Sequence, residues 1–259
     1  MNSVSLGIEQ LHVFLFLLTR CSGLFVMTPF LGSLNVPIQV RVILSFGLSY
    51  LFSLTLLPHF QMPLTLPSLL IGLGGELIIG MVIGFAAHLL FAGLQYAGQV
   101  VGFQIGLSLV STIDPQSSSR STILSVYQNY LGLMLFLGLN AHHWLIGSIA
   151  RSFEAVPPYS LHFTGPLLAK ITDLTGRLFV IGFQVSAPVM APLILMDVLL
   201  GIVGRSAPQI HVLVIGFPLK VLVGLSGLGL ALYLFPAAMR GFSTHLFRDL
   251  SSLIHLMGS

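Results

Sequence analysis

Charge is what this chain has least of. Of 259 residues only 7% are Asp, Glu, Lys or Arg, while 55% are hydrophobic. A water-facing surface draws on about 25% charged residues, so a soluble globular domain is excluded. Cysteine is almost missing. Cys21 is alone, which leaves no disulfide framework, thiol pair or cysteine metal site; it reads as a small buried apolar residue. The ten Lys and Arg exceed the seven acids by three, but they are scattered. Nucleic-acid binding needs a basic stripe with interleaved aromatics, and none is present. Enzyme signatures are missing too: no H-E-x-x-H, no clustered carboxylates, no nucleophile elbow. His142-His143 is the best-looking pair among nine histidines, but neighbours on a helix diverge by about 100° and do not both face one metal. Gly72 and Gly74, like Gly227 and Gly229, follow no strand and precede no phosphate-loop lysine, so they are no nucleotide fingerprint. No catalytic residue, metal or cofactor is expected.

What is present is lipid-compatible helix. A crossing needs about 20 residues, and six apolar segments approach that length: Leu11–Leu31, Val42–Leu57, Leu69–Leu94, Ile123–Leu139, Leu178–Leu200 and Val212–Phe235. The second and fourth are short. The fold expected is an all-α polytopic membrane protein. Met1–Gln10 carries Glu9, no Lys or Arg, and no small-x-small site follows, so the first run is expected to be a retained span rather than a cleaved signal. Asn35-Val36-Pro37, Pro58, Pro63, Pro67 and Val156-Pro157-Pro158 separate segments. Asn140–Arg177 reads as an extramembrane loop with some helix of its own. Arg240–Ser259 spaces Leu246, Leu250, Leu253 and Met257 as a short interfacial helix. With six spans, Arg41, Arg120 and Arg205 fall on one side and Arg151, Lys170, Arg177, Arg240 and Arg248 on the other. That is a weak bias under the positive-inside rule.

The interval Gln95–Thr122 (QYAGQVVGFQIGLSLVSTIDPQSSSRST) is polar and glycine-studded within this apolar background. At about 100° per residue, Gln95, Gly98, Gln99, Gly102 and Gly106 share one helical face. The one-turn spacing of these glycines, and of Gly80 and Gly84, lets a neighbouring helix approach closely, from this chain or from another. A hydroxyl run then surrounds Asp114-Pro115, which does not continue a helix comfortably. Irregular polar backbone at membrane depth is tolerated only when protein buries it or it lines a water-filled cavity. Gln104, Gly106, Ser108, Ser111, Ile113, Asp114 and Pro115 are therefore candidates to line or plug a pore; the alternative is an ordinary connection between spans.

Four charges fall inside apolar segments: Arg20, Glu76, Asp197 and Lys220, with His88 as a titratable companion. Each costs about 2.5–3.5 kcal/mol at a helix centre, so each needs a partner or an aqueous surface. Salt bridging and a proton or ion relay are both open. Pro188 and Pro192 are expected to kink the fifth segment. The matched broken helices of a secondary transporter are not found.

The order of motifs is nevertheless specific. Arg20 is followed by Thr28-Pro29-Phe30-Leu31-Gly32, Val36-Pro37 and Arg41; then come Glu76-Leu77-Ile78-Ile79-Gly80, Gly84 and Gln95-x-x-Gly98-Gln99. Gln104-Ile105-Gly106 leads to Asp114-Pro115-Gln116, and Asn140-Ala141-His142-His143 to Ser152-Phe153 and Val156-Pro157. Ala187-Pro188, Asp197, Pro208-Gln209-Ile210-His211 and Gly216-Phe217-Pro218-Leu219-Lys220 close the series. From about Arg20 to Phe235 the chain resembles the FliR family of bacterial flagellar biosynthesis proteins, whose injectisome relatives are the T-subunits of type III secretion. The resemblance implies a non-enzymatic subunit, one copy per export gate, that passes unfolded flagellar subunits across the inner membrane. Its implied partners are several P-type and Q-type subunits, a B-type subunit and membrane lipid, with no nucleic acid. It implies bent helical hairpins in a right-handed assembly of the flagellar basal body, partly raised toward the periplasm. Residues 1–139 would be a P-like half carrying the plug, 140–177 an extramembrane loop, and 178–259 a Q-like hairpin with the C-terminal helix. An injectisome gate subunit, and a transporter or proton channel using the four embedded charges, stand as alternatives.

Overall fold

The computed structural model describes residues 3–29, 31–32, 36–55, 65–107, 122–207, 209 and 211–258. Among these the regular structure is helical: α1 (Ser3–Met27), α2 (Ile38–Thr55), α3 (Leu66–Ile105), α4 (Ile123–Gly138), α5 (Ala141–Ala155), α6 (Gly165–Ser206) and α7 (Val212–Gly258). Five helices are long and apolar enough to cross a bilayer, and α4 with α5 adds a sixth as a broken pair. This is an all-α polytopic membrane protein. Lipid offers no partner to backbone N–H and C=O groups, so helices are the way an unclosed chain satisfies them there.

The helices run further than hydropathy marks them. α3, α6 and α7 hold 40, 42 and 47 residues, and at about 1.5 Å per residue each is roughly twice the ~30 Å hydrocarbon core. Pro188, Pro192, Pro218 and Pro236 lie inside α6 and α7 without ending them. Asn140–Arg177, expected to be an extramembrane loop with some helix of its own, is mostly helix: α5 and the first turns of α6. The expected separate C-terminal helix is the last part of α7. Hydropathy reports which stretches suit lipid, whereas helix continuity follows backbone hydrogen bonding and packing, which apolar and polar turns share.

Packing divides the chain into two units. The first comprises Met1–Leu89, Asn140–Thr175 and Thr244–Ser259; the second comprises Leu90–Leu139 and Gly176–Ser243. In the first unit α1 lies on α3 through glycine. A Cβ on Gly84 would stand 2.7 Å from the Leu24 carbonyl, one on Gly23 2.5 Å from the Leu77 carbonyl, and one on Gly80 would collide with the Arg20 carbonyl. Phe16, Leu17, Leu24, Ile79 and Ile83 are buried around this contact.

In the second unit Val101 and Ile105 of α3, Leu124 of α4, and Val189 and Leu193 of α6 form a buried cluster. Val221, Val223, Leu228 and Ala231 of α7 pack against it. Gly98 and Gly102 receive the start of α4: a Cβ on Gly98 would meet the Leu124 carbonyl at 2.8 Å, and one on Gly102 the Thr122 side chain at 3.1 Å. Thr122 caps α4, its hydroxyl oxygen accepting from the Ser125 N–H at 3.2 Å.

α3 stops in a Schellman turn. Gly106 has φ 95°; its N–H donates to Phe103 O and the Leu107 N–H to Gly102 O, both at 3.0 Å. The left-handed region is cheap for glycine and costs other residues about 1–2 kcal/mol. Gly106→Ala is accordingly expected to speed hydrogen exchange at the Gly106 and Leu107 amides about tenfold, leaving α1 unchanged. Unaltered protection at these two amides would show that the turn does not depend on glycine.

Candidate functional site

The four embedded charges resolve into two separate ion pairs, one in each unit. In the first unit Arg20 and Glu76 are 0% and 1% exposed and paired side-on: Nε to Oε2 at 2.5 Å and Nη2 to Oε1 at 2.9 Å. Arg20 Nη1 donates to Ser152 Oγ and Nη2 to the Val156 carbonyl, both at 2.9 Å. The guanidinium carbon lies 3.8 Å from the centroid of the Phe153 ring. One side chain of α1 thus ties down α3, α5 and the turn after α5. Planar guanidinium suits this position because its N–H fork can serve a carboxylate and further acceptors together. Ser152-Phe153 and Val156-Pro157 stand out in the sequence only as parts of a motif series; the structure makes three of them partners of Arg20. In the following turn Tyr159 has φ 70°. Desolvation first, and the Glu76 charge second, push its phenol above the ordinary range.

In the second unit Lys220 Nζ of α7 pairs with Asp197 Oδ1 of α6. Gln104 Nε2, on the last turn of α3, donates to Asp197 Oδ2 at 2.7 Å. These carboxylate and ammonium groups are 38% and 25% exposed, so this pair is worth less than the buried one. Its geometry joins the end of α3 to both α6 and α7. Ile105, next in sequence, packs at Gly224, where a Cβ would fall 2.5 Å from Ile105 Cγ1.

Other candidates fall as follows. Gly80 and Gly84 seat α1, and Gly98 and Gly102 seat the start of α4. Gln95 and Gln99 are exposed on the same helix, so the common face splits into a packed glycine edge and an open amide edge. Gly106 ends α3. Ser108, Ser111, Ile113, Asp114 and Pro115 lie outside the described residues. His142 and His143 approach to 4.2 Å between ring centroids, because the rings lean together despite diverging backbone positions; no group of three or more metal-ligating side chains occurs among the described residues. An ion pair the sequence did not single out is Lys170–Asp249, at 2.7 Å, linking α6 to the end of α7 in the first unit. Its residues lie outside the apolar segments, where a charge attracts no notice.

Comparison with known proteins agrees with the motif order. The family model described as "Bacterial export proteins, family 1" matches residues 11–246. The chain is similar to the flagellar biosynthetic protein FliR of Bacillus subtilis, 31% identical over 264 residues covering 100% of this chain and 99% of that protein. It is 29% identical to FliR of Escherichia coli K12, over 95% and 93% of the two chains. It is 30% identical to FliR of Caulobacter vibrioides, over 86% and 89%. The match therefore runs through the Arg20–Glu76 and Asp197–Lys220 pairs and every glycine seat described above, and the chain belongs to family 1 of the bacterial export proteins.

Proposed function

We propose that this chain is a non-catalytic subunit of the flagellar type III export gate in the bacterial inner membrane, helping to form the path for unfolded flagellar subunits. The observation that carries this reading is similarity along the whole chain to flagellar biosynthetic proteins, within a family of export proteins. P-type, Q-type and B-type gate subunits are its proposed partners. Residues 1–139 are its proposed P-like half and 178–259 its Q-like hairpin, partly raised toward the periplasm. The Arg20–Glu76 and Asp197–Lys220 pairs join opposite charges of this chain's own helices, an arrangement that suits holding helices in place and leaves neither embedded carboxylate without a counter-charge.

The interval around Ser108–Gln116 is the proposed plug of that path, with Ile113 closing a narrow point and Asp114-Pro115 breaking the helix. Support comes from its flanks. α3 ends at a glycine turn and α4 begins at a capped threonine whose hydroxyl also reaches the Gly98 carbonyl at 3.4 Å. Both flanks thus belong to one packed joint, a fixed base for the residues between them. Deleting Ser108–Gln116 in cells is expected to leave the gate assembled while raising ion leak and slowing growth. Normal assembly, normal export and no leak after the deletion would refute the plug. Loss of flagellar export on deleting the whole gene, restored by the intact chain, is the accompanying check on the broader reading.

A further inference from the structure

The last turn of α3 grips two helices through adjacent side chains, all within the second unit. Gln104 Nε2 donates to Asp197 Oδ2 of α6 at 2.7 Å. Ile105 is buried against α7 at Gly224, where an added Cβ would stand 3.7 Å from Ile105 Cβ. Lys220 Nζ of α7 closes the ring by pairing with Asp197 Oδ1. Lys220 and Gly224 are one turn apart and share a face of α7, so the polar and the apolar hold on α3 lie side by side. If α6 and α7 part, Lys220 leaves Asp197, and the end of α3 must give up one hold or the other.

These holds differ in kind from the joint in the first unit. Arg20 and Glu76 are buried, and separating them would strand a charge away from water. Asp197 and Lys220 are both partly exposed, so water takes up either charge when they separate and the pair breaks readily. Ile105 leaving Gly224 strands no polar group. Gly106 follows at once with φ 95° and sets the direction in which the chain leaves α3. A shift of Gln104 and Ile105 is therefore passed on to whatever follows Leu107.

We propose that the last turn of α3 is a releasable latch, closed on α6 and α7 in the idle protein and let go while a polypeptide is in transit, with Gln104 as its positioning residue. The inference rests on the interval after Leu107 being the plug, and goes beyond that by naming the residues that hold and free it.

The test uses the full-length chain in cells that make the rest of the apparatus, with ion leak, export and co-purification of the gate measured side by side. Ile105→Cys with Gly224→Cys puts two Cβ atoms at a separation that suits a disulfide, and the native Cys21 is buried in the first unit. Oxidised, this variant is expected to lose export about tenfold without added leak, and to regain it on reduction, because a fixed end of α3 does not let go. Export at the parent rate with the bridge formed overturns the latch, and a bridge that does not form on oxidation refutes the contact.

Gln104→Glu keeps the size but sets a second acceptor beside Asp197, and is expected to raise idle leak about fivefold while the gate still assembles. Gln104→Lys, which donates, is expected to keep leak near the parent level. A merely structural role would move assembly, and would not separate the two variants by leak. Unchanged leak with Gln104→Glu, or equal leak with both, overturns the proposal. Deleting Ser108–Gln116 tells the two readings apart. Leak after the deletion but none after Gln104→Glu refutes the latch and leaves the plug standing; no leak after either refutes both.

Discussion

Glu76→Gln is expected to cost about 3–5 kcal/mol of stability, the penalty for stranding one member of a buried ion pair. Arg20 would keep its bonds to Ser152 and Val156, but its charge would be buried without a counter-charge. Typical domains have only about 5–15 kcal/mol of total stability, so the loss takes a large share of it and should lower the unfolding temperature markedly. Removing the charges together, as Arg20→Met with Glu76→Leu, is expected to recover most of the loss, because well-packed apolar groups replace a buried pair with little net penalty. Thermal unfolding in detergent of the parent chain, Arg20→Met, Glu76→Leu and the double variant reads the coupling directly. Additive single and double effects would mean that the two groups do not act as a pair. The Lys220–Asp197 pair, more than a third exposed on one side, should show a much weaker version of the same cycle.

Gly80→Ala should be among the most damaging single-methyl changes at the described glycines. The added Cβ meets the Arg20 carbonyl, and backbone cannot swing aside as a side chain can. Overpacking of this kind costs about 1–3 kcal/mol, and here it also shifts the helix that carries Arg20. Gly74→Ala is the contrast. A Cβ there meets no described atom within 4 Å, and alanine in a helix interior is favoured over glycine by about 0.8–1.0 kcal/mol. The isolated chain should therefore lose stability with the first and gain it with the second. Equal effects of the two substitutions would sink the assignment of Gly80 as the seat of α1. If Gly74→Ala stabilises the isolated chain yet impairs export, another chain approaches α3 at that turn.

Much of this was legible along the chain because composition constrains a membrane protein more tightly than a soluble one. Scarce charge dictated helices in lipid, and each charge inside an apolar segment had to have a reason. Arg20, Glu76, Asp197 and Lys220 were therefore conspicuous, as were the glycine series at one-turn spacing. Helix ends were less legible. Hydropathy alone ended the third segment at Leu94; the helical spacing of Gln95 to Gly106 carried it further, and α3 does run to Ile105, where Gly98 and Gly102 receive α4 and give those polar turns a packed surface. In the same way, Arg240 looked like the start of a new element and proved to be interior to α7.

The sequence by itself determined the class of fold, the family and the residues that could not be indifferent, since those follow from local solvation costs and from the order of motifs. Only the tertiary structure decided who meets whom. Arg20 and Glu76 are 56 positions apart, Gln104 and Asp197 93, and Arg20 and Ser152 132. Nothing in local spacing chooses among such pairings; they are selected by which helices pack together, and that depends on where glycine lets two backbones touch. The division of the glycines into those that seat a helix of this chain and those facing no described atom likewise exists only in three dimensions, because a missing side chain acquires meaning only from what occupies its place.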